Sequence, residues 1–172
     1  MKKILFVSTR YPIPILGGDK SRAVGIIKFL SKSNKVDFLS LISTKQKKTS
    51  NLNFCNNVKI FKTNNIIIRL MYSFISVLKG EPLQIGFYYS HEIKNYINKV
   101  ENNYDTIIFH QLRASQYLSN NFRGKKILEI TDLQSSNYQQ ITKTVSLLNP
   151  VKYIYELEKF LIKRYERKAA KL

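Results

Sequence analysis

Residues 2–42 read KKILFVSTRYPIPILGGDKSRAVGIIKFLSKSNKVDFLSLI, and this stretch decides the fold. It opens on Lys2–Ser8, a short apolar run of the kind that lies buried on both faces in a parallel sheet. Thr9–Asp19 (TRYPIPILGGD) follows and is rich in Pro and Gly, so it reads as a loop. A helix is expected from about Lys20, because Ala23, Ile26, Ile27 and Leu30 fall at i, i+3, i+4 and i+7 on one face. Asp19 is placed to cap its start. Val36–Ile42 (VDFLSLI) is a second strand. Strand, loop, helix, strand is a βαβ unit, which nearly always means a right-handed crossover in a parallel sheet.

The same alternation continues outward. Lys45–Asn57 is a polar, basic excursion, and Val58–Lys62 is a short strand. Ile66–Lys79 is helical, with Ile67, Leu70, Met71, Phe74 and Leu78 on one face and a narrow strip of Arg69, Ser73 and Ser76 opposite. Lys79-Gly80-Glu81-Pro82 ends it. Such an apolar helix is either buried between sheet and neighbours or turns a face to a membrane or a lipid-linked acceptor, helped by basic Lys45–Lys48. Leu83–Ser90 fits neither period. Ser90–Asn102 reads as helix, Asp105–His110 as strand, Ala114–Asn121 as helix and Lys125–Thr131 as strand, with Asp132 at its end. From Leu133 onward the chain is mostly helical, and Ile154, Leu157 and Leu161 form a stripe in the last helix. These elements predict one α/β domain, Rossmann-like and doubly wound, with a mainly parallel sheet and helices on both faces.

Composition narrows the function. The single cysteine, Cys55, excludes an internal disulfide and a cysteine-based zinc site; it reads as a plain loop thiol. Two histidines make a His-based metal site an unlikely reading, and no metal is expected. The apolar run Ile4–Val7 is too short for a signal-peptide core. Ile66–Leu78 is broken by Arg69 and too short to span a bilayer. A cytoplasmic protein is expected, at most peripheral on the inner face of the membrane. The net charge of +18 favours anionic partners, or else only a solvated basic surface.

In a doubly wound sheet, ligands bind at the carboxyl ends of the strands. That rule selects three loops: Thr9–Asp19, His110–Arg113 and Thr131–Ser136. Gly17-Gly18, just before a helix start, lets backbone N–H groups approach a phosphate, or else simply makes a tight turn at positive φ. His110 is a candidate base or orienter, or a structural hydrogen-bonding group at a strand end. Arg113 is suited to pair with a phosphate. Asp132 is suited to bind sugar hydroxyls or act as a base, or else it, Ser135 or Ser136 caps the following helix. His91 starts a helix and is expected at the surface. G-x-G-x-x-G and G-x-x-x-x-G-K-[ST] are both absent, so NAD-linked and P-loop NTPase readings fall.

The opening segment, with Pro12, Pro14, Gly17, Gly18, Arg22 and the strand Val36–Leu41, resembles the amino-terminal domain of family 4 glycosyltransferases, which have the GT-B fold. KGEPLQIGFYYS, TIIFHQLRASQYL, KILEITDLQSSNY and the closing helix with Glu156, Glu158, Arg164, Tyr165 and Glu166 are similar to bacterial members that build surface polysaccharide. The resemblance runs along nearly the whole chain. It implies retaining transfer of a sugar from a nucleotide-sugar donor to a glycan or lipid-linked acceptor, with no cofactor. It implies donor-phosphate contact at Gly17 and Gly18, an acceptor or anion role for Arg22 and Arg113, and catalytic roles for His110 and Asp132. The family's donor-binding domain would lie beyond Leu172, so the expectation is a truncated half-enzyme, inactive without a second domain. The alternative is a non-catalytic basic module for anionic membrane or nucleic acid. No nucleic-acid motif supports the latter partner.

Overall fold

In the computed structural model, residues 1–44, 52–146 and 148–170 are described; the basic run Lys45–Lys48 lies outside them. The elements are β1 (Lys3–Ser8), α1 (Gly18–Leu30), β2 (Lys35–Ile42), β3 (Asn57–Lys62), α2 (Ile66–Leu78), α3 (Leu83–Phe87), α4 (His91–Val100), β4 (Thr106–His110), β5 (Lys125–Glu129), α5 (Gln134–Thr144) and α6 (Val151–Ala169). The five strands form one parallel sheet in the order β3-β2-β1-β4-β5. The fold class is therefore α/β and Rossmann-like. After β1 the chain builds outward to β3 and then returns to β1's other side with β4. The crevice between β1 and β4 is thus a topological switch point, where such sheets take their ligands.

The chain divides into two compact units: Met1–Asn64 with Ser90–Glu129, and Asn65–Tyr89 with Ile130–Leu172. The first holds the whole sheet. Ile4, Phe6, Val36, Phe38 and Ile108 join Ala23 and Ile27 of α1 in one buried cluster, the helical face read from the sequence. On the opposite side of the sheet, Phe61 of β3 meets Tyr96 of α4 edge to face at 5.7 Å. Ser90 caps α4 by accepting from Ile93 N, while α4 buries Ile93 and Ile97 and leaves His91 exposed. Buried Asp37 accepts from Tyr104 Oη at 2.8 Å and from Asn56 Nδ2 at 2.7 Å, so its carboxylate is satisfied.

The helix expected at Ala114–Asn121 is a shorter 3-10 segment, Leu112–Tyr117. Gln111, at φ 70°, breaks from β4 and starts it. Buried Tyr117 anchors it by accepting from Ser90 N at 2.9 Å. The last strand also stops at Glu129, two residues short of the expected end.

The second unit is helical throughout. Leu83–Ser90, ambiguous in sequence, contains the short helix α3. Glu158 of α6 is buried and accepts from the backbone N–H of Leu83 at 2.7 Å and Gln84 at 3.2 Å, satisfying the first turn of α3. Burial pushes the Glu158 carboxyl up, while those N–H bonds oppose the shift. One helical turn pair later, Glu166 accepts from Ser135 Oγ at 2.6 Å and Ser135 N at 3.2 Å, serving the start of α5 in the same way. A Cβ on Gly86 would strike the backbone carbonyl of Tyr72, so only glycine lets α3 lie this close to α2.

α2 is packed inside out. Its buried residues are Ser73 and Ser76, and half-buried Arg69 sits with its guanidinium 3.7 Å from the centre of the Phe87 ring. Arg69 Nε donates to the Phe87 carbonyl at 3.1 Å, and Ser73 Oγ donates to the Arg69 carbonyl at 3.0 Å. The strip expected to be polar and outward is the inward one. The apolar face is exposed: Ile67 is 75% accessible, Phe74 63% and Leu78 71%. The expectation that this helix lies buried does not hold. No helix among the described residues is long and apolar enough to cross a membrane.

Candidate functional site

The parallel register lines up Ser40, Ser8, His110 and Glu129 across β2, β1, β4 and β5 at the last rungs of the strands. Two of these positions carry charge-bearing side chains at the switch-point edge. The Glu129 carboxylate joins them to α1: one oxygen meets His110 Nδ1 at 2.5 Å, and the other accepts from Arg22 Nε at 2.5 Å. The His110 side chain is only 4% exposed and Glu129 14%, whereas Arg22 is 52% exposed. The His110 ring also lies 5.6 Å from the Phe6 ring, which supports it from below.

Both ring nitrogens of His110 face acceptors. Nε2 points at the backbone carbonyl of Asp19, 3.1 Å away, while Nδ1 faces Glu129. Both ring nitrogens are thus engaged within the fold. In this arrangement His110 ties the start of α1 to β5.

Asp19 does not cap α1. The helix starts two residues earlier, with Gly17 as its cap residue and no side-chain capping bond. Asp19 instead lies in the first turn and pairs with Arg10 at 2.9 Å. A carboxylate there already complements the positive helix start.

The two glycines differ. Gly17 has φ 92° and ψ 158°, a conformation essentially restricted to glycine, so the tight-turn reading holds for it. Gly18 is the first helical residue, and a Cβ there would meet nothing within 4 Å. Gly18 thus borders open space rather than neighbouring atoms.

Of the three loops selected from sequence, two meet. Ser8, Thr9, Arg10, Asp19 and Lys20 line one small cavity with His110, Gln111 and Arg113. Its volume of about 10 Å³ has room for at most one water. Asp132 belongs to the second unit. It is exposed and precedes α5 without capping it; Ser135, an alternative cap, is engaged by Glu166. Arg22, His110 and Arg113 are therefore placed in the first unit, around α1 and the end of β4. Glu129 was missing from the sequence reading. Its signal was there, the one acidic residue in the strand KKILE, in step with Ile127.

Among the described residues no group of three His, Cys, Asp or Glu side chains is arranged to hold a metal ion. Cys55 is a half-buried thiol packed against the α1 side of the core, as a plain loop thiol would be. No protein family, curated protein or solved structure matches the chain.

Proposed function

We propose that the chain is the acceptor-side half of a retaining, sugar-nucleotide-dependent glycosyltransferase that works with a second, donor-holding domain. The observation that carries this reading is the edge at the β1–β4 switch point, where Arg10, Lys20 and Arg113 line one cavity with Asp19 and His110 and where Arg22 of α1 reaches Glu129. An anionic group reaching that edge finds guanidinium donors suited to phosphate oxygens and a first helical turn with Gly18 beside open space. The sequence resemblance supplies the reaction class.

In this reading Arg22 is the mobile element. It is half exposed and bound at one end to Glu129, so an incoming anion competes with that carboxylate for its guanidinium. His110 stays with Glu129 and holds the Asp19 carbonyl, which fixes the helix start that meets the ligand. Exposed Asp132 is the candidate base or hydroxyl-binding group on the acceptor side.

The test is a titration of the isotope-labelled chain with pyrophosphate and a panel of nucleoside diphosphate sugars. Amide shifts centred on Gly17, Gly18 and Arg22 are expected, weakened by Arg22→Ala and Arg113→Ala. Gly18→Val is expected to fold but lose the response. Sugar transfer by the chain alone is not expected. Turnover without a second domain, or shifts confined to other residues, would overturn the reading.

A further inference from the structure

We propose that the second unit carries a docking surface for an anionic lipid bilayer, formed by the outward faces of α2 and α6. The proposal stands apart from the glycosyltransferase reading and rests on the inverted packing of α2.

The α2 residues Ile67, Leu70, Met71, Phe74 and Leu78 lie on one helical face and are all more than half exposed. No Asp or Glu occurs between Asn65 and Lys79. The outward stripe of α6 begins with Tyr153, Leu157 and Phe160, all exposed, and continues one and two turns later as Arg164, Arg167 and Lys168. Lys163 is exposed beside them. α2 buries Ser73 and Ser76, while α6 buries Leu161 and Ile162 together with Glu158, Glu166 and Ala169. The apolar face of α2 is therefore left over after folding, and α6 keeps a second apolar stripe in water besides the one it buries.

The two stripes belong to one surface. Leu70 and Ile154, both half exposed, line the same groove. Ten residues further along each chain, Gly80 lies against the Arg164 guanidinium, 3.6 Å from where its Cβ would be, and Lys168 Nζ is 4.0 Å from Glu81 Oε1. The two helices share a groove at Leu70 and Ile154, and the turn after α2 meets the basic end of α6.

Charge and composition select the occupant. Lys163, Arg164, Arg167 and Lys168 crowd two turns, and the acidic partner seen there is Glu81, at the 4.0 Å limit of an ion pair. An apolar face of Ile, Leu, Met and Phe flanked by Lys and Arg is the pattern of helices that lie in the headgroup region, the basic heads reaching lipid phosphates.

The experiment is flotation of the full chain with vesicles of phosphatidylcholine, alone or mixed with phosphatidylglycerol, at rising salt. Strong binding to the mixed vesicles alone is expected. Leu70→Gln with Phe74→Gln, and Lys163→Gln with Arg164→Gln, Arg167→Gln and Lys168→Gln, should each weaken it at least tenfold, since each basic group near the surface contributes roughly fivefold. All six side chains are exposed, and circular dichroism verifies the fold. Lys32→Gln with Lys35→Gln, exposed in the first unit, should leave binding unchanged. Three results would overturn the proposal: no flotation, equal loss in the control pair, or a dimer in sedimentation that the Leu70/Phe74 variant abolishes, which would make a second copy the occupant.

Discussion

Glu129 and His110 are register partners on β5 and β4, and the carboxylate of one meets the Nδ1 of the other at 2.5 Å at the ligand edge of the sheet. The same carboxylate holds Arg22, so three elements (α1, β4 and β5) are joined at one acidic residue. The two contacts are unequal. The His110 side chain is buried, whereas that of Arg22 is half in water.

That inequality predicts a split in stability. Glu129→Ala strands a buried donor and should cost about 2–3 kcal/mol. Arg22→Ala removes an exposed pair and should cost less than about 1 kcal/mol. Urea unfolding of the two variants measures both. Equal costs would mean that the Arg22 contact, rather than the His110 contact, is the one that holds the edge together.

The adjacent glycines give a second test. Gly17→Ala forces a Cβ into φ 92°, ψ 158° and should cost about 1–3 kcal/mol. Gly18→Ala replaces glycine at a helical position with free space around the new methyl, and should be neutral or stabilise by up to about 1 kcal/mol. Thermal unfolding distinguishes the two. A destabilised Gly18→Ala would mean that residue 18 does not occupy the helical conformation.

The strands of the sheet were legible because a doubly covered parallel strand must be apolar over its whole length: KILFVS, VDFLSLI and TIIFH announce themselves. The site was only partly legible. Gly17, His110 and Arg113 follow from where loops leave strands, and Arg22 was implied only by the family resemblance. Glu129 did not, because apolar Ile130 follows it and so put the end of the strand two residues late, at Thr131. The sequence left α2 open between a buried helix and one with an exposed apolar face, and the structure has that face exposed. Periodicity locates an apolar stripe, but which way the stripe points is set by partners. Here Phe87 takes the Arg69 guanidinium and Gly86 admits the close backbone contact, so the polar strip faces inward.

Cys55 supplies a prediction that depends on pH. Burial, reinforced by the charge of Asp37, pushes its thiol from 9.0 to about 11. Burial and the hydrogen bond to Asp37 likewise raise the Tyr104 phenol, and burial raises that of Tyr11. All three groups are favoured in their neutral forms by the fold, so the unfolded chain loses protons first as pH rises. Their contribution to stability is complete below about pH 9, where the unfolded thiol is still protonated, and is lost as pH climbs toward 11. Unfolding midpoints in urea should therefore be flat from pH 7 to about pH 8.5 and fall above it. The thiol itself reports the same shift. At pH 8 a group titrating two units higher carries about 100-fold less thiolate, so alkylation of Cys55 by iodoacetamide should be about 100-fold slower in the native chain than in urea. Equal rates would place Cys55 in water and remove it from the wall of the core.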